Sequence, residues 1–268
     1  GSKHQIIKCE TQEKYQTKTL TQQNTSFSPE PYSHFMEKEI MEQVDSSLRA
    51  ISLGGRVLSN DCVKLGGLEM HEKELIDLDH LILLGCGTSY HAGLLGVEYF
   101  KELSEFHSVQ IFDGADFDIK DVPKTGITGV ILLSQSGETK DLHRCIQIAR
   151  RNNLFLIGVV NVVDSLIARE VDCGVYLNAG REVGVASTKS FTSQVIILSL
   201  MAIWFAQKRN VNSNKRRQYI RDLRNLHVNI ENILQKYYQN MNEYISFFND
   251  FHNCFLLGKG RGHAIALE

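Results

Sequence analysis

Residues 80–100 read HLILLGCGTSYHAGLLGVEYF, and this stretch decides the fold. Leu81, Ile82, Leu83 and Leu84 form an apolar run with no polar alternation, which is how a strand buried on both faces of a parallel sheet is written. Gly85-Cys86-Gly87 then lets the backbone turn sharply, and Thr88 and Ser89 stand where a helix begins. A helix start directs free N–H groups, hydroxyls and the positive end of the helix dipole at one place. An anion belongs there.

The same grammar returns at 129–151. The apolar run Val130-Ile131-Leu132-Leu133 leads into Ser134-Gln135-Ser136-Gly137-Glu138-Thr139 and then into a helical pattern. This second turn offers three hydroxyls, an amide and a glycine nest with no cationic side chain, a set suited to a phosphate monoester held by neutral donors and a helix end. The plain alternative is that Ser136 or Thr139 only caps the helix. Two such turns at the carboxyl edge of one sheet form a site, because open α/β sheets bind ligands there.

Working outward, further apolar runs at 109–112, 154–160 and 174–177 complete five strands separated mostly by helix-length segments. The expectation is an α/β fold with a doubly wound, mostly parallel five-stranded sheet. Apolar periodicity predicts helices over 34–51, 69–78, 187–208 and 214–249. Residues 1–33 are rich in Gln, Thr, Lys and Ser and read as a linker or tag segment, Gly1-Ser2 as a tag remnant. Residues 34–209 form the first domain, 210–252 a helical connector. Cys254-Phe255-Leu256-Leu257-Gly258-Lys259-Gly260 repeats the strand-then-glycine wording of the opening stretch, so 253–268 reads as the beginning of a second such domain.

The chain has 268 residues, 29 Lys+Arg against 31 Asp+Glu and a formal net charge of -2, so no bulk field steers it to nucleic acid or a membrane surface. The run Lys215-Arg216-Arg217 lacks aromatic stacking groups and reads as a solvated helix face. No apolar run is expected to span a bilayer. Six cysteines without C-x-x-C spacing read as buried thiols of a cytoplasmic protein, not as disulfides or a zinc site. Gly85-x-Gly87 and Asp113 invite a dinucleotide reading, but His91 occupies the third glycine position. Ser136-Gly137 lacks the G-x-S-x-G pattern of a nucleophile elbow.

Cys86-Gly87-Thr88-Ser89, the turn 134–139 and Val185-Ala186-Ser187-Thr188-Lys189 together resemble, in order and spacing, the sugar isomerase (SIS) domains of the glutamine:fructose-6-phosphate amidotransferase family. The leading helix HFMEKEI at 34–40 resembles that family's join between glutaminase and isomerase halves. The resemblance implies that Ser134, Gln135, Ser136 and Thr139, with Ser89 beside them, hold a phosphate. It implies that Thr88, the backbone of Val185 and the hydroxyl of Ser187 meet the sugar. The implied ligands are fructose 6-phosphate, glucosamine 6-phosphate or glucose 6-phosphate, with no metal or organic cofactor, no nucleic acid and no membrane. The implied assembly is a homodimer, which the apolar helix at 191–206 also favours.

Nothing in the sequence resembles the family's glutaminase. Ala266-Leu267-Glu268 resembles the start of its catalytic helix, which makes Glu268 the one candidate catalytic residue here and leads us to expect no turnover by this chain alone. Ala168, Val171 and Tyr176 replace polar residues usual where relatives receive UDP-N-acetylglucosamine, which puts that regulation in doubt. The rival to the enzyme reading is a non-catalytic SIS module that senses a sugar phosphate and contacts a partner.

Overall fold

The computed structural model describes residues 28–249 and 251–268, so most of the expected linker lies outside the described residues. Helices α1 (Phe35–Met41) and α2 (Gln43–Ala50) lead in, followed by the short α3 (Gly66–Glu69) and α4 (Glu72–Ile76). The alternating part runs β1 (His80–Gly85), α5 (Thr88–Leu103), β2 (Ser108–Asp113), β3 (Thr128–Ser134), α6 (Lys140–Arg151), β4 (Phe155–Val160), α7 (Leu166–Glu170) and β5 (Cys173–Tyr176). Then come α8 (Lys189–Lys208), α9 (Ser213–Gln239), α10 (Met241–Phe248) and α11 (Arg261–Leu267). All four strand pairings are parallel, and the order is β2-β1-β3-β4-β5.

The unbroken apolar runs follow from two covered faces. Leu81, Leu83, Ile131, Leu133, Ile157 and Val159 join the core beneath α5, α8 and α9, where Phe100, Leu103, Met201 and Trp204 are buried. Their neighbours Ile82, Leu84, Val130, Leu132, Leu156 and Val160 join the opposite core beneath α6 and α7, with Leu142, Ile146 and Ile167. Each such side chain contributes roughly 1.5–3 kcal/mol by leaving water. From β1 the chain crosses to β2 on one side; β3 resumes on the other side of β1. The turns after β1 and β3 therefore diverge, and the crevice between them is the switch point where such sheets take ligands.

Several expectations are corrected. The helix expected over 34–51 is broken at Glu42, where the backbone tightens (ψ -7°), and the one over 69–78 is confined to α4, Glu69 being the last residue of α3. The helix expected over 214–249 is interrupted at Asn240. Helix α8 is long and apolar enough to cross a membrane, yet 78% of its apolar window is buried inside the fold, which makes it the core helix. That burial also removes α8 as support for a dimer. Arg216 is buried, donating to the carbonyls of Val211 and Asp61, so the basic run is not wholly a solvated face. Cys145 and Cys173 are buried as expected, whereas Cys254 is exposed.

Residues 253–258 have no strand partner among the described residues. Even so, Gly260 (φ 59°, ψ -129°) before α11 repeats the conformation of Gly87 (φ 54°, ψ -128°) before α5.

Helix α3 lies against β5 through a glycine contact. A Cβ at Gly67 would fall 2.0 Å from the carbonyl oxygen of Gly174, whereas one at Gly66 meets nothing within 4 Å. Gly67→Ala is expected to cost about 1–3 kcal/mol through forced backbone shift. Gly66→Ala should be neutral or slightly stabilising. Thermal melts of the two variants check this; equal melting temperatures would contradict the packing.

Candidate functional site

The first turn is built by backbone geometry. A Cβ at Gly85 would lie 2.8 Å from the backbone of Ser89 and Tyr90, so the glycine lets the first turn of α5 fold back over the end of β1. Thr88 opens α5, and its hydroxyl donates to Glu268 Oε1 at 2.8 Å. Ser89 accepts from Gln194 Nε2 at 2.9 Å. With that acceptor position filled from behind, the Ser89 proton is left for a ligand.

The second turn is a hydroxyl network. Ser134 Oγ accepts from the Gly137 N–H at 2.9 Å and lies 3.0 Å from Thr139 Oγ1, while Ser136 Oγ accepts from the Glu138 N–H at 3.1 Å. Gly137 sits at φ 71°, and a Cβ there would lie 2.0 Å from Ser165 Oγ, so only glycine fits. Thr139 occupies the N-cap of α6 but makes no side-chain capping bond. The capping alternative therefore fails for Thr139, whose hydroxyl belongs to the turn, and the first-turn N–H groups of α6 are left without intrahelical acceptors. Gln135 and Ser136 line a cavity of about 570 Å³ with Arg49, Asn161, Asn178 and Arg181. Thr88 and Ser89 lie outside that hollow, on the neighbouring strand's turn.

The third stretch is a loop ahead of α8. Val185 is fully exposed. Ser187 Oγ donates to Glu182 Oε2 at 3.1 Å, and Glu182 Oε1 accepts from the N–H groups of Thr188 at 2.9 Å and Ser190 at 3.2 Å. Glu268 bridges Thr88 and His91, with His91 Nδ1 2.7 Å from Oε2. The residue in the third glycine position of a dinucleotide fingerprint thus holds a carboxylate. Asp113 accepts from the Ala115 N–H at 2.9 Å and closes its own turn.

Burial first, then the charge of Asp113, pushes the Cys86 thiol up, away from the thiolate form that a nucleophile needs. Among the described residues no group of three His, Cys, Asp or Glu is arranged to hold a metal ion. Sequence reasoning missed Gln194, Glu182 and the His91–Glu268 contact. Their partners are distant in the chain or their residue types ordinary.

A doubly wound sheet carrying two Ser/Thr/Gly turns at its switch point defines an α/β domain of the kind that takes its ligand at the carboxyl edge of the sheet. Residues 74–204 match the family model of the SIS domain, and the chain belongs to that family, in the line of the glutamine–fructose-6-phosphate aminotransferases. A probable glutamine–fructose-6-phosphate aminotransferase (isomerizing) of Acanthamoeba polyphaga mimivirus is 38% identical over 254 residues, covering 95% of this chain and 40% of that protein. Glutamine–fructose-6-phosphate aminotransferase (isomerizing) 2 of Homo sapiens is 36% identical over 238 residues, 88% of this chain and 34% of that one. The C-terminal domain of glucosamine-fructose-6-phosphate aminotransferase from Francisella tularensis superposes with TM-score 0.81 at 27% identity, covering 90% of this chain and 66% of that one. The chain thus spans well under half the length of these two curated relatives.

Gln194 is 1% exposed, and its Oε1 has no partner among the described residues. Gln194→Leu removes the donor to Ser89 together with that unsatisfied oxygen, so stability should change little while inorganic phosphate binds about tenfold more weakly. Calorimetry alongside a thermal melt checks this. Unchanged phosphate affinity would mean that the Ser89 hydroxyl takes no part.

Proposed function

We propose that this chain is the sugar-phosphate grip of a glutamine–fructose-6-phosphate aminotransferase. It binds fructose 6-phosphate, glucosamine 6-phosphate or glucose 6-phosphate and serves the formation of glucosamine 6-phosphate in hexosamine synthesis. The observation that carries this reading is the polarity of the hydroxyls. Ser89 accepts from Gln194, which leaves a proton to donate to phosphate. Thr88 and Ser187 donate to Glu268 and Glu182, which leaves lone pairs to accept from sugar hydroxyls. Ser134, Gln135, Ser136 and Thr139 complete the phosphate side with the α6 N-terminus. The exposed backbone at Val185 completes the sugar side.

Aldose–ketose isomerisation needs a positioned acid and base, and covalent capture of the ketone needs an amine. The described residues at this site offer Glu268 and His91 but no free amine. Lys189, the lysine of the third motif, is 3% exposed and paired with Glu42 at 2.5 Å. Glu268 is our candidate catalytic residue, and the 268-residue chain alone is expected to grip without turning over. The repeated glycine conformation before α11 supports reading 253–268 as the opening of a second SIS domain, after a first domain at 34–209 and a connector at 210–252. Homodimerisation rests on the family resemblance, and a cytoplasmic setting on that resemblance and the free thiols.

Calorimetry with fructose 6-phosphate, inorganic phosphate and fructose tests the grip. Fructose 6-phosphate should bind best, and Ser136→Ala should cost roughly 1.5–3 kcal/mol, at least about tenfold in affinity. Equal affinity for fructose and its phosphate would contradict the site. Glucosamine 6-phosphate formation from fructose 6-phosphate and ammonium by this chain alone would contradict the proposed lack of turnover.

A further inference from the structure

Glu39 is a carboxylate on α1 with 2% of its surface exposed, far from either phosphate turn in the chain. Burying a carboxylate is costly unless its oxygens are satisfied. Here they are satisfied by the backbone of another segment. Oε1 accepts from the N–H of Val183 at 2.5 Å and of Gly184 at 3.2 Å, and Oε2 lies 3.1 Å from the same Gly184 nitrogen. The approach is so close that a Cβ on Gly184 would lie 2.7 Å from Oε2.

Two further ties flank this one. Glu42, between α1 and α2, pairs with the buried Lys189, and Gln43 Oε1 accepts from Thr192 Oγ1 at 2.6 Å. Three points on one helical edge thus meet three points on the segment 183–192. Within the loop, Glu182 fixes the residues from Ser187 onward, but the exposed Val185 lies between the two sets of bonds. The backbone just before Val185 is held by Glu39.

We infer that Glu39 is a positioning residue: its buried carboxylate fixes the 183–186 backbone that presents Val185 to the sugar, so it sets affinity for the sugar and leaves the phosphate grip alone. The consequence for ligands rests on the proposed sugar-facing role of this loop; the anchoring itself rests on the geometry above. Bonds to an ionised acceptor are the stronger kind. Their loss frees the 183–186 backbone, to which the proposed phosphate grip assigns no ligand.

The test uses the full chain with Glu39→Ala and, because an emptied buried position also perturbs folding, Glu39→Gln, which keeps one accepting oxygen. Glu39→Ala is expected to weaken fructose 6-phosphate binding about tenfold while inorganic phosphate stays within about twofold, with Glu39→Gln between parent and Ala. Amide hydrogen exchange at 183–185 should speed up in Glu39→Ala while exchange at 134–139 does not change. Unchanged exchange at 183–185, or an equal loss for both ligands, would overturn the inference. A parent chain that binds neither ligand would overturn the proposed site instead, and the exchange measurement would still decide whether Glu39 anchors the loop.

Discussion

The reversal of strand order between β1 and β3 is the constraint on which the rest depends. Two adjacent parallel strands send their helices to opposite faces, α5 with one core and α6 with the other. No helix can fill the space directly above their carboxyl ends. The turns that bound this space grow from strands fixed by ladder bonds and by side chains buried on both sides, so their hydroxyls are carried on rigid supports. The glycines in the turns answer to the same demand. Gly85 lets a helix start close over a strand end, and Gly137 takes a left-handed conformation against Ser165.

The electrostatics of the crevice are sorted by side. On the proposed phosphate side the turn groups are hydroxyls, an amide and helix N–H groups, and Arg49 and Arg181 line the same hollow as Gln135 and Ser136. On the proposed sugar side two carboxylates, Glu182 and Glu268, stand behind the hydroxyls of Ser187 and Thr88. Carboxylates so placed orient hydroxyls as acceptors and repel a second anion. A monoester of a neutral polyol, the ligand we propose, matches both halves.

The sheet was legible because five buried strands leave five apolar runs, and the two turns were legible because hydroxyls and glycines cluster where a chain bends sharply from a strand into a helix. What escaped was of three kinds. Breaks at Glu42 and Asn240 are small changes of backbone angle inside segments whose side chains still keep helical spacing. Arg216 looked like one charge among three on a wet face, yet it reaches inward to carbonyls of Asp61 and Val211. Gln194 and Glu39 act on partners more than a hundred residues away, Ser89 and the loop at Val183–Gly184, and a lone Gln or Glu in a helical pattern carries no mark of that. The apolar α8 suggested an interface, but its surface is buried inside the fold against α2, α5 and α9.

The central claim is that the turns after β1 and β3 form one phosphate site. Backbone amide NMR of the isotopically labelled chain, titrated with fructose 6-phosphate, tests it most directly. The account predicts that amides at 86–91 and 134–141 shift together along a single saturating curve, with those at 183–188 following for the sugar phosphate and not for inorganic phosphate. Saturating shifts confined to residues away from both turns, or shifts at the two turns with different midpoints, would contradict it.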